Sequence, residues 1–193
     1  GWLALGSGIA GGADVILIPE IPYSLEIVSE SLLRRMRVGK MFSIVAIAEG
    51  AVPRDEKDSA EDARRKWKEN GGKGKFDAPM PTHELVSAIL AEHIEEQTGL
   101  ETRVTSLGYV QRGGVPTPTA RLLSTKYGTL AAECALQGHF GVMAAKLGMD
   151  YVPVPLAEIV GKRKTVPLDH AWIASARAVH TCMGDEIPHG YKD

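Results

Sequence analysis

Two short, mainly apolar segments separated by an amphipathic stretch limit the fold of this chain most strongly. The first covers residues 15–18 (VILI) and the second covers residues 42–48 (FSIVAIA). Each has the length and composition of a strand that is covered on both faces. Between them, apolar side chains recur at helical spacing from Ser24 to Gly39, and glycine is a residue that commonly ends a helix. A strand, a helix and a strand in about 35 residues predict a βαβ unit, and therefore an α/β fold with a parallel sheet flanked by helices.

The rest of the chain alternates between further predicted helices and strands. Helices are expected over 2–13, 82–98, 119–138 and 168–183, and strands over 101–110 and 151–155. Residues 51–81 instead mix acidic and basic side chains and end in a glycine-rich run, which predicts a charged surface insertion.

Composition and charge exclude several functional classes. Hydrophobic residues make up 44% of the chain and charged residues 24%, as in soluble globular proteins. The formal net charge of −2 predicts no binding of nucleic acid, and acidic neighbours balance the basic run at 64–68. No apolar run reaches the ~20 residues that span a membrane. Cys134 and Cys182 lack metal-type and redox-type spacing, which favours a cytoplasmic setting, and the six histidines lack the spacing of metal ligands.

Residues 6–11 (GSGIAG) formally match the glycine pattern of dinucleotide-binding loops. Such a loop needs a strand before it and a full helix after it, so that the helix N-terminus faces the pyrophosphate. Only residues 12–14 separate the last glycine from the strand at 15–18, which leaves no room for that helix. The pattern therefore indicates close helix packing through small residues.

An acidic residue, Glu49, directly follows the second apolar segment. Ligands of open α/β sheets bind at the carboxyl ends of strands, where a carboxylate can accept hydrogen bonds from the hydroxyl groups of a sugar. A helix cap or an ion pair is the commoner role of a glutamate at such a position, and both interpretations stay open on the residues alone.

Two arginines flank the predicted strand at 101–110. Arg103 lies near its start and Arg112 follows its end, before a Gly-Gly turn, while Tyr109 adds a phenol hydroxyl. Two guanidinium groups and a hydroxyl suit a phosphate monoester. The alternative is that one arginine caps a carbonyl and the other forms a surface ion pair. The spacing alone favours neither interpretation.

Residues 107–118 (LGYVQRGGVPTP) resemble a signature of the phosphofructokinase family, and GLETRVTSLGYVQRGG extends the match upstream. GIAGGADVILIPE, IVAIAEG and VPVPLAEIVGKRKTVP occur in the family's order. The resemblance covers nearly the whole chain except about 51–80, and it is to the later portion of a family member. It implies a Rossmann-like half of the phosphofructokinase fold: a sugar-phosphate-binding α/β domain over 1–112, with the insertion at 51–81. A helical and strand segment over 113–193 would then pack on an N-terminal domain outside this chain.

The resemblance also implies roles for the candidate residues. Glu49 would hold the sugar hydroxyls of fructose 6-phosphate, and Arg112 would bind its 6-phosphate. Arg103 would reach that phosphate from a neighbouring subunit, which implies a homo-oligomer. Tyr109 stands where many bacterial members have a histidine, so it can donate a hydrogen bond without adding positive charge.

Two further residues, Glu20 and Lys40, match positions that hold a Mg-nucleotide effector in bacterial allosteric members. No residue matches the family's catalytic base, glycine-rich donor loop, TIDND segment or MGR segment. The resemblance implies a 6-phosphofructokinase of glycolysis, which transfers a phosphoryl group with Mg²⁺ from ATP or pyrophosphate to the 1-hydroxyl of fructose 6-phosphate. The donor site and the base would lie outside this chain, which alone is expected to be inactive. The alternative is a non-catalytic, sugar-phosphate-binding regulatory subunit.

Overall fold

A computed structural model describes residues 1–55, 65 and 82–190, and the chain divides into two compact units. Unit 1 comprises Gly1–Ser106 with Thr165–Asp193, and unit 2 comprises Leu107–Lys164. Most of the predicted insertion at 51–81 lies outside the described residues. The family resemblance implied a domain over residues 1–112 and a segment over 113–193 that packs on another part of a longer protein. This division stays a prediction. Within this chain, residues 165–193 group with unit 1.

The predicted βαβ unit is confirmed in unit 1. Strand β1 (Val15–Leu17) and strand β2 (Val45–Ile47) pair in parallel, with Val15 opposite Val45, and helix α2 (Leu25–Arg37) connects them. Helix α1 (Trp2–Ala10) precedes β1.

Local sequence signals define the ends of α2. Ser24 adopts an extended conformation, and its hydroxyl oxygen accepts a hydrogen bond from the N–H of Ile27 at 3.3 Å. At the other end Gly39 has φ +83°, and the N–H of Lys40 donates to the carbonyl of Arg35 at 2.9 Å. This bond and the left-handed glycine form a Schellman motif.

The core of unit 1 covers both faces of β1. Val15 and Leu17 belong to a cluster with residues of α2 and of α3 (Thr82–Thr98), whereas Ile16 and Ile18 belong to a second cluster. The second cluster contains residues of α1 and of α5 (Ala171–Ala178). Successive strand residues therefore point into opposite layers of helices, as the all-apolar run predicts.

The prediction for the second strand is wrong in its length and burial. β2 is only three residues long and half-buried, and Phe42 before it is 73% exposed. Among the described residues, β2 has a strand on one side only, namely β1. Val45 and Ile47 pack against the first core cluster and Ala46 packs against the second, but the two clusters cover β2 only in part, so all three residues stay half-buried.

The last predicted helix, at 168–183, is also shorter in the structure. α5 ends near Ala178, and His180 takes a left-handed conformation with φ 66°. Residues beyond it extend, so that the N–H of Ile16 donates to the carbonyl of Cys182 at 2.9 Å. Cys182 and Met183 are fully buried, and their burial in the core overrides the helical pattern.

Unit 2 is a helix packed against a hairpin. Helix α4 (Pro118–Leu136) begins where the Thr117 side chain accepts a hydrogen bond from the N–H of Ala120, with proline at the first helical position. Strands β3 (Val142–Leu147) and β4 (Asp150–Pro155) pair antiparallel. The predictions at 119–138 and 151–155 are confirmed by α4 and β4, whereas β3 was not predicted.

The predicted strand at 101–110 is wrong. Residues 101–107 have no regular secondary structure, and Gly108–Arg112 form a 3₁₀ helix. Within the described residues no strand lies beside this segment to accept its backbone hydrogen bonds. Gly108 at φ +40° also interrupts an extended conformation. No helix of the described part of the chain is long and apolar enough to cross a membrane.

Candidate functional site

The four residues predicted to bind a sugar phosphate fall into two pairs. Glu49 and Arg103 belong to unit 1, and Tyr109 and Arg112 belong to unit 2. Each pair has its own local geometry, and the surroundings of the four side chains differ.

Tyr109 and Arg112 lie three residues apart on the 3₁₀ helix Gly108–Arg112. A 3₁₀ helix has three residues per turn, so side chains at this spacing lie one above the other on the same side. Tyr109 is 89% exposed and Arg112 is exposed. Neither side chain has a hydrogen-bond or ion-pair partner within the described residues. The turn thus presents a phenol hydroxyl and a guanidinium group together, which is an arrangement that suits an oxyanion.

The chain turns sharply directly after this pair. The N–H of Gly113 donates to the carbonyl of Val110 at 3.2 Å, which closes the 3₁₀ helix. Gly114 follows with φ +84°, a conformation that L side chains rarely adopt. Two residues without side chains therefore follow Arg112 and leave the backbone beside it open to a ligand.

Arg103 forms an ion pair with Glu101. Its Nε and Nη2 atoms lie 2.9 and 2.8 Å from Oε1 of Glu101, and the two side chains are 85% and 74% exposed. A pair this exposed contributes about 0–1 kcal/mol, so a bound phosphate could replace the carboxylate. Arg103 therefore forms a surface ion pair, which is the alternative role that the sequence analysis gave for one of the two arginines. The partner itself was not predicted, although residues i and i+2 of an extended segment share a face.

The backbone before Arg103 is well anchored. The N–H of Thr102 donates to Oε1 of Glu95 at 2.7 Å, and the N–H of Leu100 donates to Oγ1 of Thr98 at 3.1 Å. Leu100 also packs against the first core cluster. Helix α3 and the core thus fix the position at which the exposed Arg103 leaves unit 1.

Glu49 occupies a tight turn at the carboxyl end of the parallel sheet. The N–H of Ala48 donates to the carbonyl of Leu17, and the N–H of Ala51 donates to the carbonyl of Ala48, both at 2.9 Å. Gly50 lies against Pro19, since a Cβ added there would be 3.4 Å from its Cγ. The exposed Glu49 carboxylate has no hydrogen-bond or ion-pair partner among the described residues. A fixed, unpaired carboxylate at this edge can accept hydrogen bonds from hydroxyl groups.

The predicted effector residues, Glu20 and Lys40, differ in environment. Glu20 follows β1, is only 12% exposed, and its Oε1 accepts a hydrogen bond from the N–H of Val166 at 2.9 Å. It therefore holds the point where the chain returns into unit 1. Lys40 is exposed and precedes β2. No hydrogen bond or ion pair between described residues connects Glu20 with Lys40.

No group of three or more His, Cys, Asp or Glu side chains in the described ranges is placed to hold a metal ion. Cys134 and Cys182 are buried, free thiols. Burial raises the pKa of the Cys182 thiol, which keeps it protonated and unreactive.

A family model described as "Phosphofructokinase" matches residues 1–135. The "ATP-dependent 6-phosphofructokinase" of Propionibacterium freudenreichii subsp. shermanii is 46% identical over 96% of this chain and 52% of its own length. The "Pyrophosphate--fructose 6-phosphate 1-phosphotransferase" of Amycolatopsis methanolica is 44% identical over 86% of this chain and 46% of its own. The chain thus spans about half the length of the curated relatives it matches.

The fold is similar to that of a solved structure. A pyrophosphate-dependent phosphofructokinase from Marinobacter aquaeolei superposes with a TM-score of 0.63 at 19% identity, covering 100% of this chain and 49% of the other. At that identity the likeness concerns the fold.

Proposed function

Because the chain belongs to the phosphofructokinase family, we propose that it is the sugar-phosphate-binding part of a 6-phosphofructokinase. In the proposed reaction the 1-hydroxyl oxygen of fructose 6-phosphate attacks the terminal phosphorus of ATP or pyrophosphate. ADP or phosphate leaves, and a base takes the hydroxyl proton. One observation carries the proposal. Tyr109 and Arg112 lie on the same side of the 3₁₀ helix in the segment that resembles the family signature, and neither side chain has a partner among the described residues.

We assign the 6-phosphate to the arginines. Arg112 would bind it as a fork, with Tyr109 donating a neutral hydrogen bond. Arg103 would approach from a neighbouring subunit of a homo-oligomer, exchanging the carboxylate of Glu101 for the phosphate. The exposure of the Arg103–Glu101 pair supports this exchange, because both side chains can move without leaving a buried charge unpaired.

Glu49 would accept hydrogen bonds from the sugar hydroxyls. Its rigid turn at the carboxyl end of the sheet and its lack of a partner among the described residues support this role. A carboxylate near a phosphate would repel it, so Glu49 is expected to contact the sugar and not the phosphate.

The donor, the Mg²⁺ that accompanies it and the catalytic base belong, in this proposal, to an N-terminal portion outside these residues. The relatives' names support keeping both ATP and pyrophosphate as donors. That portion would pack on the exposed apolar side chains of unit 2, such as Val115, Leu122 and Phe140. We further assign Glu20 and Lys40 to an effector site and the protein to the cytoplasm. Oε1 of Glu20 is engaged by the N–H of Val166, whereas its buried Oε2 accepts no hydrogen bond from the described residues and is the atom that we assign to an effector.

Two assays of the purified 193-residue chain test this proposal. Calorimetry should detect binding of fructose 6-phosphate, and a coupled assay should detect no turnover with ATP or pyrophosphate. Turnover would contradict the assignment of the donor site and base to another portion. Absence of binding would contradict the sugar-phosphate site. A change in the kinetics of a complete 6-phosphofructokinase on adding the chain would favour the regulatory-subunit alternative.

A further inference from the structure

A pocket of about 240 Å³ lies in unit 1 at the C-terminal end of α5. None of the residues assigned above to substrate, effector or sugar lines it. Its polar lining consists of Arg177, His180, Thr181, Glu186 and His189.

The residues after α5 form the pocket by folding back on the helix end. His180 has φ 66°, an uncommon conformation for a residue with a side chain. Its imidazole lies directly against the backbone of Gly190, where an added Cβ would be 2.6 Å from Cε1 of the ring. Thr181 and Pro188 are buried. The wall that carries the two histidines is therefore closely packed.

Arg177 forms ion pairs with two carboxylates of the residues after α5, and these two side chains differ in exposure. Nη2 lies 2.6 Å from Oδ2 of Asp185, and Nη1 lies 2.5 Å from Oε1 of Glu186. Asp185 is 25% exposed, and its carbonyl also accepts a hydrogen bond from Nη2 of Arg54 at 2.9 Å. Glu186 is 57% exposed. Asp185 is thus the fixed partner of Arg177, and Glu186 is the partner that can exchange.

The hydrogen bond that Arg177 donates to Asp185 raises the pKa of Arg177, so the guanidinium stays charged. The carboxylate of Glu186 occupies the Nη1 side of the guanidinium at the pocket. The oxygens of a phosphate can accept the same hydrogen bonds, and a phosphate dianion carries more charge than a carboxylate.

We propose that this pocket binds a phosphate dianion or a short phosphate monoester, which replaces the carboxylate of Glu186 on Nη1 of Arg177. A volume of about 240 Å³ holds a phosphate with a short carbon chain, since one water fills about 30 Å³. His180 and His189 line the same pocket, so their ring signals report a ligand that binds there. This site is separate from the proposed fructose 6-phosphate site and does not depend on it.

The charges around the pocket determine what a bound anion has to displace. The carboxylates of Asp185 and Glu186 together outweigh the guanidinium of Arg177, although Arg54 lies behind Asp185. Removing the charge of Glu186 should therefore raise the affinity of the pocket for an anion.

NMR of the histidine ring signals tests the proposal, with inorganic phosphate as the probe at pH 6.5. Every chain in this test carries Arg112→Ala, which weakens phosphate binding at the proposed sugar-phosphate site. His180 and His189 should shift saturably, while His139 in unit 2 should not. Glu186→Gln, which removes the competing charge, should tighten binding about two- to fivefold. Arg177→Lys should weaken it at least tenfold, and the matched exposed variant Glu158→Gln should leave it unchanged.

Absence of a saturable shift at His180 and His189 would overturn the proposal. So would a Glu186→Gln chain that binds no more tightly, because that variant keeps the Arg177–Asp185 pair and therefore the folded pocket.

Discussion

The two units of the chain contrast in how they bury apolar surface. Among the described residues, every buried hydrophobic side chain except Cys134 belongs to unit 1. Unit 2 exposes large apolar side chains along its helix and hairpin: Val115, Leu122, Leu136, Phe140, Met143, Leu147, Met149, Leu156 and Val160. A hairpin gains stability from packing against a helix, but Cys134 is the one buried hydrophobic residue that the described part of unit 2 contributes. Unit 1 thus carries its own core, whereas unit 2 leaves most of its large apolar side chains exposed.

The contrast bears on function, because the candidate residues are shared between the units. Glu49 and Arg103 are anchored by the core and helices of unit 1. Tyr109 and Arg112 depend on one 3₁₀ turn and its glycines. The pair Tyr109 and Arg112, which we propose to bind the phosphate, therefore lies in the unit with less support of its own.

The largest expected effect is on the free energy of unfolding, and it comes from comparing a buried leucine with an exposed one. Leu17→Ala in β1 removes a fully buried side chain and should lower the free energy of unfolding by about 3 kcal/mol. Leu147→Ala in β3, where the side chain is 61% exposed, should change it by less than about 0.5 kcal/mol. Urea unfolding of both variants measures the difference. Equal losses would break the comparison between the units.

The sequence predicted unit 1 better than the segment that joins it to unit 2, for a physical reason. Residues 15–18 are apolar at every position, and their burial on both faces follows from that pattern alone. Residues 101–107 also look extended, but a strand needs a neighbour, and neighbours come from the tertiary fold. Glu49 could be placed at the carboxyl end of the sheet from the βαβ pattern. The pairing of Arg103 with Glu101 depends on side-chain positions that spacing only suggests.

Arg112→Ala tests whether unit 2 contributes to ligand binding without contributing to stability at this position. It should weaken fructose 6-phosphate binding by about 1.5–3 kcal/mol, the contribution of a charged hydrogen bond. Calorimetry provides the affinity. The free energy of unfolding should not change, because Arg112 has no partner among the described residues. Unchanged affinity would remove Arg112 from the site.

Glu101→Gln tests the matching arginine of unit 1. It removes the charge that now pairs with Arg103, so fructose 6-phosphate should bind up to about 1 kcal/mol more tightly. The same substitution at Glu133, which is exposed on α4, serves as the control in the same titration. Weaker binding by the Glu101 variant would mean that the pair positions Arg103 for the phosphate.

The smallest effect concerns the surface of unit 1. Oε1 of Glu30 accepts hydrogen bonds from Arg34 at 2.8 Å and Arg37 at 3.1 Å, and the bond from Arg34 lowers the pKa of its carboxyl. Glu30→Gln should cost about 0.3–0.5 kcal/mol at pH 7. A lowered pKa in the folded state stabilises above the ordinary value of 4.5 and is lost as the pH falls below it. Urea unfolding should show the two chains converging toward low pH. A difference that grows there would contradict the sign.

The central proposal is that Arg112 and Arg103 bind the phosphate of fructose 6-phosphate and that Glu49 binds its sugar. Calorimetric titration of the Glu49→Gln chain with fructose 6-phosphate and with inorganic phosphate tests it most directly. Fructose 6-phosphate should bind about 1–2 kcal/mol more weakly, because a charge-assisted hydrogen bond becomes a neutral one. Inorganic phosphate should bind as it does to the unaltered chain. An equal loss for both ligands would show that Glu49 supports the fold, and no loss for either would exclude it from the site.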